Sequence, residues 1–412
     1  MPRLLRLLAL TALLLSSGCS SLAPLLSTPT PVPVTQVSDT PQPPPTPGDP
    51  SQPQARILRV WLPPRFDPEA GSESADLLKQ RLAEFESQHP GLEIEVRIKA
   101  EEGETSLLHS LTVTSLAAPT ALPDLIALPR PVLETAARKG YLHPIDGLSV
   151  MLDDPDWYAY ARDLGHIQNI GYGLPFAGDA LALVYRAESE GGAGWDAMFS
   201  NETKLAFPAA DPRGLFALSL YVSAGGKVLD ANGLPTLERD ALVQALTWLE
   251  GGISAGSISP TLKNISLEAD ALALYRSGGA DAVIAWTSST PEGLLFPLPG
   301  LDGTPRSPAT GWVWALAGSN PENQQIAIEL AESLTAGDFM SEWTRAAGYL
   351  PTRPSGAIAS PDSVVAVLES ASLLPSDDIV AVLGPLMQEA WIRVLNGEPP
   401  EAVAGSVIEK LK

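Results

Sequence analysis

The sequence predicts an α/β fold of two lobes, each a mostly parallel sheet flanked by helices, with a cleft between the lobes. Three observations predict it. Strand and amphipathic-helix patterns alternate over residues 57–140, the signature of an open parallel sheet. The 412 residues, 45% of them hydrophobic, are too many for one simple core and suit two of ordinary size. The stretch 172–186 opens on Gly173-Leu174-Pro175, passes an Ala177-Gly178-Asp179 joint and closes in a strand, 181–185, that is apolar on both faces. Glycine at 178 lowers the steric cost of changing backbone angles, as a hinge requires. A strand apolar on both faces is buried in a helix-covered sheet. The chain therefore passes from one lobe to the other at this stretch.

At the N-terminus, Arg3 and Arg6 precede an apolar run over residues 7–15, of secretory-signal length and too short to span a bilayer. Ser16, Ser17 and Gly18 then lead to Cys19, the single cysteine, which excludes an intrachain disulfide, a thiolate metal cluster and a redox pair. The pattern resembles a bacterial lipoprotein signal over residues 1–18, with Cys19 acylated as the first mature residue. Ser16 stands where that signal prefers leucine. Several acyl chains on one residue make a durable membrane anchor. Residues 19–55 are rich in Pro, Thr, Ser and Gln, cannot bury a core, and are expected to form a disordered or polyproline-like tether. At roughly 3 Å per residue it holds the body up to about 100 Å from the membrane. The formal net charge of -22 argues against nucleic acid or an anionic membrane as partner.

In the first lobe, residues 57–61 form a strand ending at Trp61. A helix follows over 74–88, with Leu77, Leu78, Leu82 and Phe85 on one side, and His89-Pro90-Gly91 stops it. Residues 92–98 alternate as a strand with one wet face, 105–117 form a helix, and 124–128 a third strand running into Pro129-Arg130. Pro131 starts the next helix and Gly140 ends it. Ligands of open parallel sheets sit beyond the carboxyl ends of the strands, where Trp61 and Arg130 fall.

These blocks carry a family resemblance. "FESQHPGLEIEV", "PDLIALPR", "GYLHPID" and "YGLPFAGDALALVYR", in this order and spacing, resemble the bacterial solute-binding proteins of ABC importers, in the sugar-binding branch that includes maltose-binding protein. The resemblance runs over nearly everything from Ile57 onward. It implies a periplasmic-binding-protein-like fold.

Beyond the first crossing, Trp195 opens a short helix, and 214–224 and 238–249 form two more. Residues 281–286 are a strand ending in Trp286, which the resemblance implies stacks on ligand where the chain returns. In the strand 311–316, alternation puts Trp312 and Trp314 on one face. Relatives use a Gly-Gly or Gly-Trp pair here, so Gly311 is expected near the ligand, although Thr310 replaces the first glycine. Helices over 323–336 and 339–347, the "GYLPTR" segment ending at Arg353, and helices near 364–370, 379–395 and 400–411 complete the second lobe.

Enzyme chemistry finds no support. Gly252-Ile253-Ser254-Ala255-Gly256 fits the nucleophile-elbow pattern but follows a helix, and no histidine lies downstream. The four histidines lack metal-ligand spacing, and Asp153-Asp154-Pro155-Asp156 lacks the alternation and closing glutamate of a calcium loop. No phosphate loop or dinucleotide fingerprint occurs, and no metal or cofactor is implied. Indole rings stack on the apolar faces of sugars, and polar side chains hold their hydroxyls. The expected ligand contacts are therefore Trp61, Arg130, Phe176, Asp179, Trp286, Gly311, Trp312, Trp314 and Arg353, with an interlobe salt bridge or a cap as the rival role for Asp179 and Arg353.

The expectation is a lipid-anchored, extracytoplasmic and monomeric receptor. Lobe I spans 57–176 plus 287–316, lobe II 177–286 plus 317–412, with crossings near 176–179, 286–290 and 316–320. By resemblance it passes a carbohydrate, an oligosaccharide or glycoside, to ABC permease subunits. Two alternatives stand: a non-sugar solute such as a polyamine, amino-acid derivative or phosphodiester, and a sensor or scaffold lipoprotein uncoupled from transport.

Overall fold

The computed structural model describes residues 56–186, 194–290, 293–318 and 320–411. The signal, Cys19 and the proline-rich stretch lie outside them. The described chain begins with β1 (Arg56–Leu62), α1 (Glu73–Gln88), β2 (Leu92–Ile98), α2 (Leu107–Ala117), β3 (Leu125–Pro129) and α3 (Arg130–Arg138). Ser72 caps α1 and Ser106 caps α2 through their hydroxyls, and Pro131 opens α3, so each helix starts where the sequence supplies a cap or a preset φ. After α4 (Ala159–Leu164) a small hairpin, β4 (His166–Ile167) and β5 (Ile170–Gly171), leads into β6 (Gly173–Tyr185), a 13-residue strand buried almost throughout.

Beyond β6 come α5 (Trp195–Ser200), β7 (Leu205–Ala206), α6 (Leu215–Ser223), α7 (Arg239–Ser254), α8 (Glu268–Arg276) and β8 (Ala282–Trp286). The chain returns through a short turn, Thr287–Ser289, then β9 (Leu294–Pro297) and β10 (Ser307–Leu316). It finishes with α9 (Pro321–Leu334), α10 (Gly337–Ala347), α11 (Asp362–Ser370), β11 (Ala371–Leu373), α12 (Asp377–Leu395) and α13 (Pro400–Leu411).

The strands follow the path β2-β1-β3-β10-β6-β8-β7, with β11 beside β10 and β9 beside β6. β1 pairs in parallel with β2 and β3, and β7 with β8; the central pairings of β10 and β6 are antiparallel. Buried side chains gather into two large clusters. The first takes in β1, β3, β10 and the opening half of β6; the second takes in α6, α7, α12 and the closing half of β6. β6 is thus the strand common to both cores.

The C-terminal region divides differently from the expected block 317–412. α9, α10 and α11 bury Ile326, Leu330, Trp343 and Val367 in the first core; of the C-terminal helices, only α12 and α13 join the second. The reason is register. β10 does not leave the first sheet at 316–320, because Leu316 pairs with Leu125 inside it, so the helix that follows packs there too. The late passage runs instead from β11, paired to β10, into α12.

Gly311, expected to let backbone approach a ligand, is occupied from within. A Cβ at this position would meet the Ala177 carbonyl oxygen at 2.4 Å and Leu164 at 2.8 Å. Gly311→Ala is therefore expected to cost about 1–3 kcal/mol by overpacking the β6–β10 pair. Urea unfolding reads this as a lower midpoint, and an unchanged midpoint would show that the strands part freely there.

Candidate functional site

Register places the floor of the site. Trp312 stands opposite both Pro129, the last residue of β3, and Ala177 of β6. Trp286, the last residue of β8, stands opposite Leu181 of β6. The ends of the two parallel sets are therefore four residues apart along β6, about 13 Å. What faces this gap comes from the turns just past the strand ends, as open sheets dictate.

On the first side, β1 runs into Pro63-Pro64, whose fixed φ shapes a short turn, Pro64–Phe66. The Arg65 guanidinium donates to both carboxylate oxygens of Glu101 at 2.7 and 2.8 Å and to the Tyr349 hydroxyl at 2.7 Å. It also lies 5.3 Å from the Trp312 ring centre. Phe66 packs edge-on to Trp312, at 5.0 Å, and to Phe176, at 5.3 Å.

On the second side, the half-buried Trp286 shares a recess of about 40 Å³ with Leu181, Pro208, Asp211, Phe216 and Glu268. Glu268 accepts the Trp286 amide at 2.6 Å, and Asp211 caps the entry to α6 by accepting from Arg213 and Leu215 amides. Between the sides, Asp179 accepts from the Thr287 hydroxyl at 2.8 Å, the Ser288 amide at 3.1 Å and the Ser288 hydroxyl at 2.6 Å.

Burial pushes the Asp179 carboxyl up, and its hydrogen bonds to Ser288, Thr287 and Ala180 offset only part of that rise. Burial likewise raises Glu268, and the nearby charge of Asp179 adds to it. Asp211 and Glu268 line the Trp286 recess, while Glu101 is paired with Arg65.

The expected contacts scatter. Trp286 borders the recess, and Trp312 is buried with Arg65 over its face. Trp61 and Trp314 are each 2% exposed. Trp61 belongs to the first core with Lys99 across its ring, while Trp314 stacks on Phe176 at 4.3 Å. These three aromatics are core residues, because each lies within its strand and packs into the sheet layers rather than beyond the strand end. Arg130 is taken up internally: it donates to Glu134 and to the carbonyls of Asp163, Leu164 and His166. Arg353, 7% exposed, pairs with Asp154 and Asp156 over the Trp157 ring, so it acts as a buried clamp within the first core. Asp179 ties two passages through hydroxyl and amide hydrogen bonds rather than through the salt bridge expected as its rival role. Arg65, Glu101, Tyr349, Asp211 and Glu268 escaped the sequence reading. For Arg65 and Asp211 the usable signal was position, one to five residues beyond a strand end.

The model of one protein family, described as "Bacterial extracellular solute-binding protein", matches residues 80–364, more than half of the chain. The chain belongs to this family. Solute-binding proteins bind rather than catalyse, in keeping with the absence of an enzyme motif. Solved structures share the fold. A cyclo/maltodextrin-binding protein complexed with maltotetraose superposes with a TM-score of 0.68 at 20% identity, over 88% of this chain and 97% of that one. The cyclic alpha-maltosyl-1,6-maltose binding protein from Arthrobacter globiformis gives 0.68 at 15% identity, over 86% and 98%. UgpB from Mycobacterium tuberculosis in complex with glycerophosphocholine gives 0.64 at 15% identity, over 86% and 97%. No curated protein sequence matches the chain.

The Arg353 clamp of this solute-binding protein gives a pH prediction. Burial alone would raise Asp156, but hydrogen bonds from Ser355 and the Arg353 guanidinium outweigh it and hold the carboxyl below the usual carboxylate range. A depressed folded-state pKa contributes stability above the unfolded value, and that contribution fades as pH falls through the folded one. Arg353→Met is expected to lower stability by about 1–2 kcal/mol at pH 7, by removing charge-assisted hydrogen bonds to two partly exposed carboxylates. The difference from the parent should narrow below about pH 4. Urea unfolding from pH 3 to 7 tests it, and a gap that stays constant with pH would contradict the assignment.

Proposed function

We propose that this solute-binding protein captures a carbohydrate, an oligosaccharide or glycoside, between its two cores and delivers it to the permease of an ABC importer. The observation that carries this reading is the Trp286 recess. A half-buried indole at a strand end stands beside Asp211 and Glu268, with Arg65, Glu101 and Tyr349 on the other side of the gap. An indole offers a flat apolar face to a sugar ring, and carboxylates and a guanidinium hold hydroxyl groups. The similar structure that holds maltotetraose supports the same class. Contacts from both sides favour the closed form, so binding shifts an open–closed population. Acylation of Cys19 and the tether over residues 19–55 keep the receptor on the extracytoplasmic face of the membrane. Trp286 remains a ligand-side residue in this reading, with Arg65 and Asp211 added.

A second reading is favoured by a specific observation, the two carboxylates, Asp211 and Glu268, that line the Trp286 recess. It makes the solute a small cation such as a polyamine.

Trp286→Ala is expected to remove ligand response while leaving the melting temperature of the free protein within a few degrees. Thermal shift and tryptophan fluorescence of the parent against maltooligosaccharides, other glycosides and polyamines supply the comparison. At 100 times its dissociation constant a ligand adds about 2.7 kcal/mol, which raises the melting point of a body this size by about 3–5 °C. Silence across the sugars with a response to polyamines would move the assignment to the cation. An unchanged titration in the Trp286 variant would remove that indole from the site.

A further inference from the structure

A second cavity, of about 330 Å³, lies beside the crossing and is distinct from the Trp286 recess. Its size falls in the range of small-molecule sites. One wall is the passage between the cores, with Thr287, Thr290 and Leu295; the other is α10, the loop after it and the start of α11. The Tyr349 ring lines it, while the Tyr349 hydroxyl is taken by Arg65.

The polar groups are unevenly placed. The hydroxyls of Thr287 and Thr290 are spent on Asp179 and on the Trp286 carbonyl. On the opposite wall, Arg345 forms no ion pair with any described residue, and the hydroxyls of Ser341 and Ser360 donate to none. A chain with 48 acidic and 26 basic residues has left this guanidinium without a carboxylate at the lip of an apolar space. Leu295, Leu350, Pro351, Pro361 and Val364 supply the apolar surface. A cation is disfavoured by Arg345. A phosphate dianion would lose hydration against apolar walls that return nothing. A carboxylate head with a compact apolar body satisfies both walls at once, the head on Arg345 and the hydroxyls, the body against Leu295 and Val364.

We propose that this cavity is a second ligand site, taking a small carboxylic acid with an aromatic or branched apolar body. It uses none of the residues assigned to sugar capture apart from the Tyr349 ring, so it stands or falls separately from the carbohydrate reading.

Phenylacetate is a suitable probe, with phenylacetamide as its uncharged match. Calorimetric titration of the full-length chain is expected to give phenylacetate a dissociation constant below about 1 mM. The amide should bind about tenfold more weakly, and Arg345→Ala should weaken the acid by a similar factor, since a charge-assisted bond is lost. Val364→Trp, which fills the space, should abolish binding. Arg345 is exposed, so its variant should melt with the parent and keeps the test valid even where Val364→Trp fails to fold. No heat from phenylacetate up to about 10 mM, equal affinity for acid and amide, or undiminished binding by Arg345→Ala would each overturn the site.

Discussion

The account rests on one carboxylate. Asp179 sits in β6 where that strand leaves the first core, and its oxygens take three hydrogen bonds from Thr287 and Ser288, where the chain comes back from β8. Two passages are thereby tied at one point. Hydrogen bonds to a charged group contribute about 1.5–3 kcal/mol each, so the tie resists separation while leaving the strand ends on either side free to tilt. Gly178 next to it is bonded to Leu350 through both its amide and its carbonyl, and a Cβ there would run into the Tyr160 hydroxyl and the Leu350 carbonyl, so only glycine lets these segments close on β6. On the proposed reading, this pinned point is the pivot of closure.

The position of that pivot explains the chemistry around it. Only a short length of β6 separates the end of β3 from the end of β8, so groups on the turns past those ends come within reach of one small molecule. Glu101 and Asp211 lie on such turns, after β2 and β7. On the proposed carbohydrate reading, carboxylate oxygens there accept from the hydroxyl groups of the solute. The raised pKa values of Asp179 and Glu268 reflect the dry setting that burial creates.

Much of this was legible in the sequence. Strand–helix alternation marked the first sheet, and the apolar run after Gly178 marked the passage of β6. The Trp286 position was legible too, because a strand closing on tryptophan beside a return turn places the ring at the sheet end. The fate of Arg130 and Arg353 was not. Their partners, the carbonyls of Asp163 to His166 and the carboxylates of Asp154 and Asp156, are 33 to 36 residues away for Arg130 and 197 to 199 for Arg353. Local pattern carries no trace of such pairings. Nor did periodicity separate the core indoles of Trp61 and Trp314 from the recess indole of Trp286, since all three end or line apolar strands. The assignment of α9 to α11 to the first core depended on how far β10 penetrates the first sheet, a matter of register rather than composition.

The central claim is that two cores close on a solute about the Asp179 pivot. Small-angle X-ray scattering of the protein with and without a saturating solute, its binding verified by calorimetry, tests this most directly. The account predicts a smaller radius of gyration in the bound state. A solute that binds with measurable heat while the scattering curve stays the same would contradict it.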